Sequence, residues 1–171
     1  LKVEPLVKLA VRAIDNKQVR FTAKKFEKVA KHWYKILKDW NISRQIVWGI
    51  RIPAWRCEKC LEWTITDGVE PKECINCHHN KLVQDTDTFD TWFSSSQWPF
   101  ATLRASRSGD FEYFYPTSVM DPAYDILPFW VIRMIMLGLY VTRMVPFETI
   151  ILHGLVRDKF GVKISKSKGN I

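Results

Sequence analysis

The chain has 171 residues, of which 47% are hydrophobic and 13% aromatic. This composition supports one substantial hydrophobic core and excludes an intrinsically disordered chain. The formal net charge is +8, and residues 1–50 hold all of the excess, with 12 Lys and Arg against 4 Asp and Glu, whereas the remainder holds 14 of each.

Two amphipathic helices and a short strand are predicted in this basic first part. The helices cover about residues 3–14 and 24–38, and the strand lies at about 19–22. In and just beyond the second helix, apolar side chains recur at helical spacing, and these are Phe26, Val29, Trp33, Ile36, Leu37 and Trp40. The apolar stripe is expected to pack on the core. Lysines occupy the remaining face, which is either solvated or contacts nucleic-acid phosphates.

Two CxxC pairs, "CEKC" and "CINC", follow. Their cysteines are Cys57, Cys60, Cys74 and Cys77. Each CxxC turn directs two thiolates at one ion, so the doubled pattern predicts a tetrahedral zinc site in a small insert. Two disulfides or redox-active turns are the alternatives. Four thiolates leave no open coordination position, so a structural metal is expected, with His78 and His79 as bystanders.

The second half of the chain indicates an α/β fold. A buried helix is predicted at about 125–143, and the apolar strand "FETIILHG" leads into a basic loop. Near-continuous apolar runs and helix-then-strand order are typical of a parallel sheet covered by helices. The longest apolar run, residues 126–141, covers 16 positions and is interrupted by Arg133. It is shorter than the roughly 20 residues that cross a bilayer, so we expect no membrane span.

Four segments in consistent order carry a family resemblance. They are "SRQIVWGIRIPAW", "DTFDTWFSSSQWPF", "FYPTSVMDPAYDILPFWVIRM" and "HGLVRDKFGVKISKSKGN". The segments resemble class I aminoacyl-tRNA synthetases, and within that family the valine-specific members most closely. "KISKS", residues 163–167, is similar to the family's KMSKS loop. The resemblance implies the carboxy-terminal half of a Rossmann-like catalytic domain with an inserted zinc-ribbon-like module.

The resemblance gives the basic loop a chemical role. In amino-acid activation the substrate carboxylate attacks the α-phosphate of ATP, so negative charge grows on the departing pyrophosphate. Lys163 and Lys166 are the expected catalytic residues, because ammonium groups that reach those oxygens only in the transition state lower the barrier. Ser165 is expected to contribute to ATP binding, and Lys168 to be a surface lysine.

The resemblance also implies where the substrates bind. His153, Gly154 and Asp125 are expected to bind ATP, with Mg²⁺, the first two near the adenine and the third at the ribose. From the residues alone, the plain interpretation of Asp125 is a helix N-cap, and His153 is equally a capping or core-edge histidine. The chain departs from the family at Ala123, where glycine is usual. Trp92 resembles the tryptophan that walls the amino-acid pocket.

The resemblance divides the chain into three parts. Residues 1–50 would join the exit of an editing domain to the catalytic core, residues 51–84 would form the zinc insert, and residues 85–171 would form the second half of the catalytic domain. The family's HIGH motif lies in the first half of that domain, and no HIGH-like motif occurs here. The isolated chain is therefore expected to be inactive.

The expected partners are valine, ATP and tRNA(Val). A cytoplasmic setting is expected, because four cysteines without a signal peptide are typical of a reducing compartment. No membrane partner is expected, and the oligomeric state stays open. Two alternatives also stay open: an isoleucine-specific synthetase, and a non-catalytic zinc-ribbon module that binds RNA through the basic first third.

Overall fold

The computed structural model describes residues 1–170. Its helices are α1 (Glu4–Asp15), α2 (Lys24–Ile36), α3 (Thr91–Ser95), α4 (Trp98–Arg104), α5 (Asp110–Phe114) and α6 (Ile132–Thr142). Its strands are β1 (Arg20–Phe21), β2 (Ser43–Arg44), β3 (Ala54–Cys57), β4 (Trp63–Ile65), β5 (Leu82–Gln84), β6 (Thr88–Phe89), β7 (Thr117–Met120) and β8 (Phe147–Ile150). The chain forms two compact units. We call Leu1–Trp40 with the segment from Ser95 onward the sheet unit, and Asn41–Ser94 the cysteine unit.

A three-stranded parallel sheet organises the sheet unit. Its order is β1-β8-β7, so β8 is central. The last residues of the three strands lie side by side, because Phe21 and Met120 both pair with Ile150. The carboxyl ends of the strands therefore meet at one edge, which we call the carboxyl edge. The predicted α/β class with a parallel sheet is confirmed.

The buried helix begins differently from the prediction. A 3-10 turn (Tyr124–Ile126) and a π-helical turn (Leu127–Val131) precede α6. Pro128 has no N–H, so it cannot donate the backbone hydrogen bond that an α-helix requires there. Ala123 is the N-cap residue of the first turn and Asp125 lies inside it, so the N-cap interpretation of Asp125 is wrong.

The helical segment Tyr124–Thr142 passes a length and hydropathy test for a membrane span, with a mean hydropathy of 1.5 over its most apolar window. Core helices of soluble proteins pass the same test. Here α6 packs against α1. Its side chains from Met134 to Met136 are fully buried, which is how a core helix is placed.

The core-facing stripe predicted for α2 is partly wrong. Ala30 and Tyr34 are the buried residues of this helix, whereas Val29 is 40% and Ile36 48% exposed. The hydroxyl of Tyr34 donates a hydrogen bond of 2.8 Å to the carbonyl of Ile132. Periodicity determines which residues share a helix face, but the neighbouring elements determine which face is covered.

The cysteine unit contains two small antiparallel sheets. One has the order β4-β3-β5 and the other pairs β2 with β6. Gly49 lies against Thr88 so closely that a Cβ atom would come within 2.8 Å of the Thr88 Cβ. Its φ of +154° also favours glycine. The predicted division at residues 51 and 84 stays a prediction.

Candidate functional site

The four cysteines form one cluster, as predicted. All four sulfurs lie within 4.8 Å of one another, in an arrangement that can hold a metal ion. The Sγ of Cys57 lies 3.6 Å from that of Cys77, and the Sγ of Cys60 lies 3.5 Å from that of Cys74. All four are free thiols, so the disulfide alternative is not what the structure has.

Two turns of the same design present these sulfurs. In the first, the N–H of Leu61 donates to the carbonyl of Cys57, and in the second the N–H of His78 donates to the carbonyl of Cys74. Leu61 and His78 both have positive φ, at 63° and 56°. In each turn a backbone N–H two residues after the first cysteine also points at its sulfur, at 3.4 Å. Because both turns have the same hydrogen bonds, the four sulfurs are preorganised for one ion.

The electrostatics of the cluster call for a cation. The N–H groups of Cys77 and Asn76 stabilise the thiolate of Cys74 and lower its pKa to about 6. Although the N–H of His79 donates to Cys77, burial and the three neighbouring sulfurs raise the pKa of Cys77 to about 12. Four thiolates at this spacing repel one another unless an ion neutralises them. The ring of His78 instead contacts Glu73, at 2.9 Å.

The basic loop is a folded hairpin. Arg157 and Lys163 form an antiparallel bridge. The carboxylate of Asp158 accepts hydrogen bonds of 2.9 Å from the N–H groups of Phe160 and Val162 and one of 2.8 Å from the amide of Asn170. The hydrogen bond from Asn170 is the main cause that lowers the pKa of Asp158. Neither Asp158 nor Asn170 was predicted to have a role.

Lys163 contacts the turn that precedes α6. Its Nζ lies 2.7 Å from Oδ2 of Asp125, which lowers the pKa of that carboxyl group. The side chains are 51% and 32% exposed, respectively. The hydroxyl of Tyr124, the residue before Asp125, accepts a hydrogen bond of 3.1 Å from Arg157. Two predicted ATP-binding residues are therefore in direct contact, 38 positions apart in sequence.

His153 and Gly154 lie just past the carboxyl edge. His153 forms a parallel bridge with Ala123, which extends the β7–β8 pairing. Its Nδ1 contacts the carbonyl of Gly154 at 2.7 Å. A carbonyl only accepts, so Nδ1 carries a hydrogen in this contact. A cavity of about 320 Å³ is lined by His153, Gly154, Leu155, Val156, Lys163 and Ile164.

The remaining predicted residues have other contacts. Lys166 and Ser165 are at the start of a 3-10 turn, where the Ser165 hydroxyl contacts that of Ser167 at 3.3 Å. Trp92 belongs to the cysteine unit and is half-buried in α3. The backbone N–H of Trp92 donates a hydrogen bond of 2.9 Å to the carboxylate of Asp90. Asp90 is buried and also pairs with Arg44, a contact that the sequence did not indicate.

Comparison with known proteins identifies the family. A model of tRNA synthetases class I (I, L, M and V) matches residues 1–171. The chain is 47% identical to a valine--tRNA ligase of Symbiobacterium thermophilum and 46% identical to one of Clostridium tetani, over 99% of the chain. It is 43% identical to one of Pseudothermotoga lettingae. The chain spans about a fifth of the length of these curated relatives, 19% to 20%.

Solved structures share the fold. A LeuRS of Agrobacterium radiobacter K84, in a complex with tRNA and LeuAMS, superposes with a TM-score of 0.61 at 24% identity, over 78% of this chain and 21% of that one. A methionyl-tRNA synthetase of Mycobacterium tuberculosis, bound by methionyl-adenylate, gives a TM-score of 0.64 at 15% identity, over 100% of this chain and 28% of that one.

Proposed function

The chain belongs to the family of class I tRNA synthetases, and from that membership we propose that it is the second half of the catalytic domain of a valine--tRNA ligase. The complete enzyme activates valine with ATP to valyl-adenylate and transfers the valyl group to tRNA(Val). Identities of 43% to 47% with valine--tRNA ligases over nearly the whole chain support the choice of valine.

The contact between Lys163 and Asp125 carries this proposal. It holds an ammonium group of the basic loop beside the cavity lined by His153 and Gly154, at the carboxyl edge of a parallel sheet. Folds of this class bind their ligands at that edge. The resemblance assigns these same residues to ATP, so the geometry supports one common nucleotide site.

The chemistry assigned to the loop is stabilisation of a leaving group. A carboxylate oxygen of valine bonds to the α-phosphorus of ATP, and the bond from that phosphorus to the bridging oxygen breaks. The electron pair leaves with pyrophosphate. Lys163 and Lys166 neutralise the charge that grows there, and Ser165 donates a hydrogen bond. Lys163 exchanges the carboxylate of Asp125 for a phosphate oxygen during this step.

The adenosine end of ATP lies at the carboxyl edge in this proposal. His153 and Gly154 are next to the adenine, and no atom of residues 1–170 lies within 4 Å of a Cβ added to Gly154, so the backbone is open to a ligand. Asp125 accepts a hydrogen bond from the ribose once Lys163 has moved. ATP brings Mg²⁺, whose charge the phosphates compensate.

Zinc is the metal that we assign to the cysteine cluster. Four thiolates in a closed cluster match the donor set of structural zinc sites. Cys57, Cys60, Cys74 and Cys77 would hold the ion and fix the loops between the strands of the cysteine unit. A unit of this size has only a small core, so a bound ion adds to its stability.

Trp92 is assigned to the wall of the valine pocket. A hydrophobic pocket separates valine from isoleucine by one methylene, which is worth only about 1–3 kcal/mol. A valine-specific pocket and an isoleucine-specific pocket are therefore separated by only a small difference in binding free energy. In this proposal the enzyme acts in the cytoplasm.

The distribution of charge argues against RNA binding by the cysteine unit itself. Residues 41–94 hold six Lys and Arg against eight Asp and Glu, and four thiolates exceed the charge of one zinc ion. The basic excess lies in the other unit, so the cysteine unit itself does not attract phosphates.

The test is amino-acid-dependent exchange between ATP and pyrophosphate by the complete enzyme. Valine is expected to support exchange far better than isoleucine, and replacement of Lys163 and Lys166 by methionine is expected to abolish it. Exchange that depends on isoleucine would favour the alternative. A complete protein that binds RNA but exchanges with neither amino acid would contradict the proposal.

A further inference from the structure

A row of four lysines on α2 is not used by the proposed reaction. Lys24, Lys28, Lys31 and Lys35 follow one another at intervals of 4, 3 and 4 residues. With about 100° per residue, they fall within a sector of about 60° of the helix surface. A rise of about 1.5 Å per residue spreads them over roughly 16 Å. We call these four residues the lysine row.

Three of the four ammonium groups lack a compensating charge. Lys31 is paired with Asp15 at 2.7 Å and with Glu27 at 2.9 Å, and these contacts raise its pKa. In the described part of the chain no ion pair involves the other three lysines of the row, and all three are exposed. The row is therefore a narrow stripe of positive charge in which Lys31 is compensated and the other three lysines have no ion pair among the described residues.

The orientation of the row is fixed by the packing of α2. The buried hydrogen bond from the Tyr34 hydroxyl to the carbonyl of Ile132 sets the rotation of the helix about its axis. With Tyr34 and Ala30 inside, the side chains of Lys24, Lys28 and Lys35 are exposed. The flexible stems can follow a partner, but the helix that carries them is held in place.

The row begins at the carboxyl edge. Lys24 is three residues after Phe21, the last residue of β1, which pairs with Ile150 of β8. The N–H of Thr22 continues this pairing with a hydrogen bond of 3.1 Å to the carbonyl of Ile150. His153 follows Ile150 by three residues. One end of the stripe thus lies at the edge of the sheet that carries the nucleotide site.

We propose that the lysine row binds the sugar-phosphate backbone of the double-stranded part of the RNA substrate. This inference rests on the proposed function, which supplies an RNA whose reacting end must reach the carboxyl edge. Lysine is a point charge without the planar fork that reads bases, so the row contributes affinity and no sequence preference. When lysines bind phosphates, counterions condensed on the RNA are released into solution. Such binding is therefore strongly dependent on the salt concentration.

The test uses the complete enzyme with Lys24, Lys28 and Lys35 all replaced by glutamine, which removes the charges and keeps good helix formers. A matched control replaces three exposed lysines elsewhere, Lys2, Lys8 and Lys72, by glutamine. Binding to the tRNA that the enzyme charges is measured from 50 to 300 mM salt by filter retention. Each lost phosphate contact lowers the slope of log K against log salt by about 0.7–0.9.

The row variant is expected to lower that slope by about 2 to 3 and to weaken binding at physiological salt by about tenfold to a hundredfold. The control, with the same loss of net charge, is expected to stay within about twofold of the unchanged enzyme. Equal effects of both variants, or no effect of either, would overturn the assignment of the row.

Amino-acid-dependent exchange between ATP and pyrophosphate separates this inference from the proposed function. Exchange does not require tRNA, so the row variant is expected to keep the unchanged rate. If exchange is normal and tRNA binding is unaffected, the row assignment fails and the proposed function stands. If the triple variant loses exchange, the single Lys28→Gln variant replaces it, with an expected decrease in slope of about 0.7–0.9. A Lys28→Gln slope equal to that of the unchanged enzyme would also overturn the inference.

Discussion

Replacement of Lys163 by methionine separates a catalytic role from a structural one. Methionine keeps an unbranched side chain and removes the charge. In the structure the only ionic contact of Lys163 within residues 1–170 is with Asp125, and both side chains are partly exposed, at 51% and 32%. Exposed pairs of this kind contribute about 0.2–1 kcal/mol. The substitution is therefore expected to change the melting temperature by at most a few degrees.

The expected effect on catalysis is much larger. Removing one donor that stabilises transition-state charge costs about 10²–10³ in kcat, or roughly 2.7–4 kcal/mol. The contact with Asp125 competes with this interaction by at most about 1 kcal/mol, which is a factor of about five. The net loss in valine-dependent ATP and pyrophosphate exchange by the complete enzyme is thus expected to be at least about 20-fold.

The control for this experiment is Lys168→Met, an exposed lysine of the same loop, which is expected to retain the rate within about threefold. A Lys163→Met enzyme that melts normally and exchanges within about threefold of the unchanged rate would refute the role assigned to this side chain.

Four further outcomes are expected. The isolated chain shows no valine-dependent exchange, and turnover above background would contradict its assignment as half of a catalytic domain. Asp125→Asn raises KM for ATP by about two- to tenfold, the worth of one hydrogen bond, and an unchanged KM would exclude the ribose contact. Chelation of zinc in the complete enzyme accelerates amide exchange within residues 41–94 and spares α6, whereas equal protection with and without metal would argue against a structural ion. The pKa of Glu27 is lowered, first by the hydrogen bond from Lys31, so its contribution to stability is present above its ordinary pKa and is lost as pH falls through the lower folded value. Glu27→Gln is expected to flatten that acid dependence in thermal melts, and an identical pH profile would show that the contact is not stabilising.

The sequence predicted those features that depend on local spacing. The doubled CxxC pattern predicted that the four sulfurs form one cluster, and each turn is closed by its own backbone hydrogen bond. The start of α6 was not predicted correctly, although Pro128, which has no N–H to donate, is visible in the sequence. The burial of α2 was predicted only in part, because Val29 and Ile36 lie on a face that no described element of the sheet unit covers fully.

Contacts between distant residues were beyond sequence reasoning. Asp125 and Lys163 were each assigned to ATP, but nothing in their spacing indicated that they touch one another. The same holds for Asn170, which reaches back 12 positions to Asp158. Such contacts depend on loop geometry, which periodicity and composition do not specify.

The hydrogen bonds that converge on Asp158 fix the internal shape of the basic hairpin, which is therefore a preformed unit and not a flexible loop. Gly161 and Gly169, with φ of 76° and 59°, supply its sharp bends, and Asn170 bridges its base by donating to Asp158 and accepting from the N–H of Ser165. A preformed hairpin loses little conformational entropy when it closes onto a substrate, because its internal shape is already set.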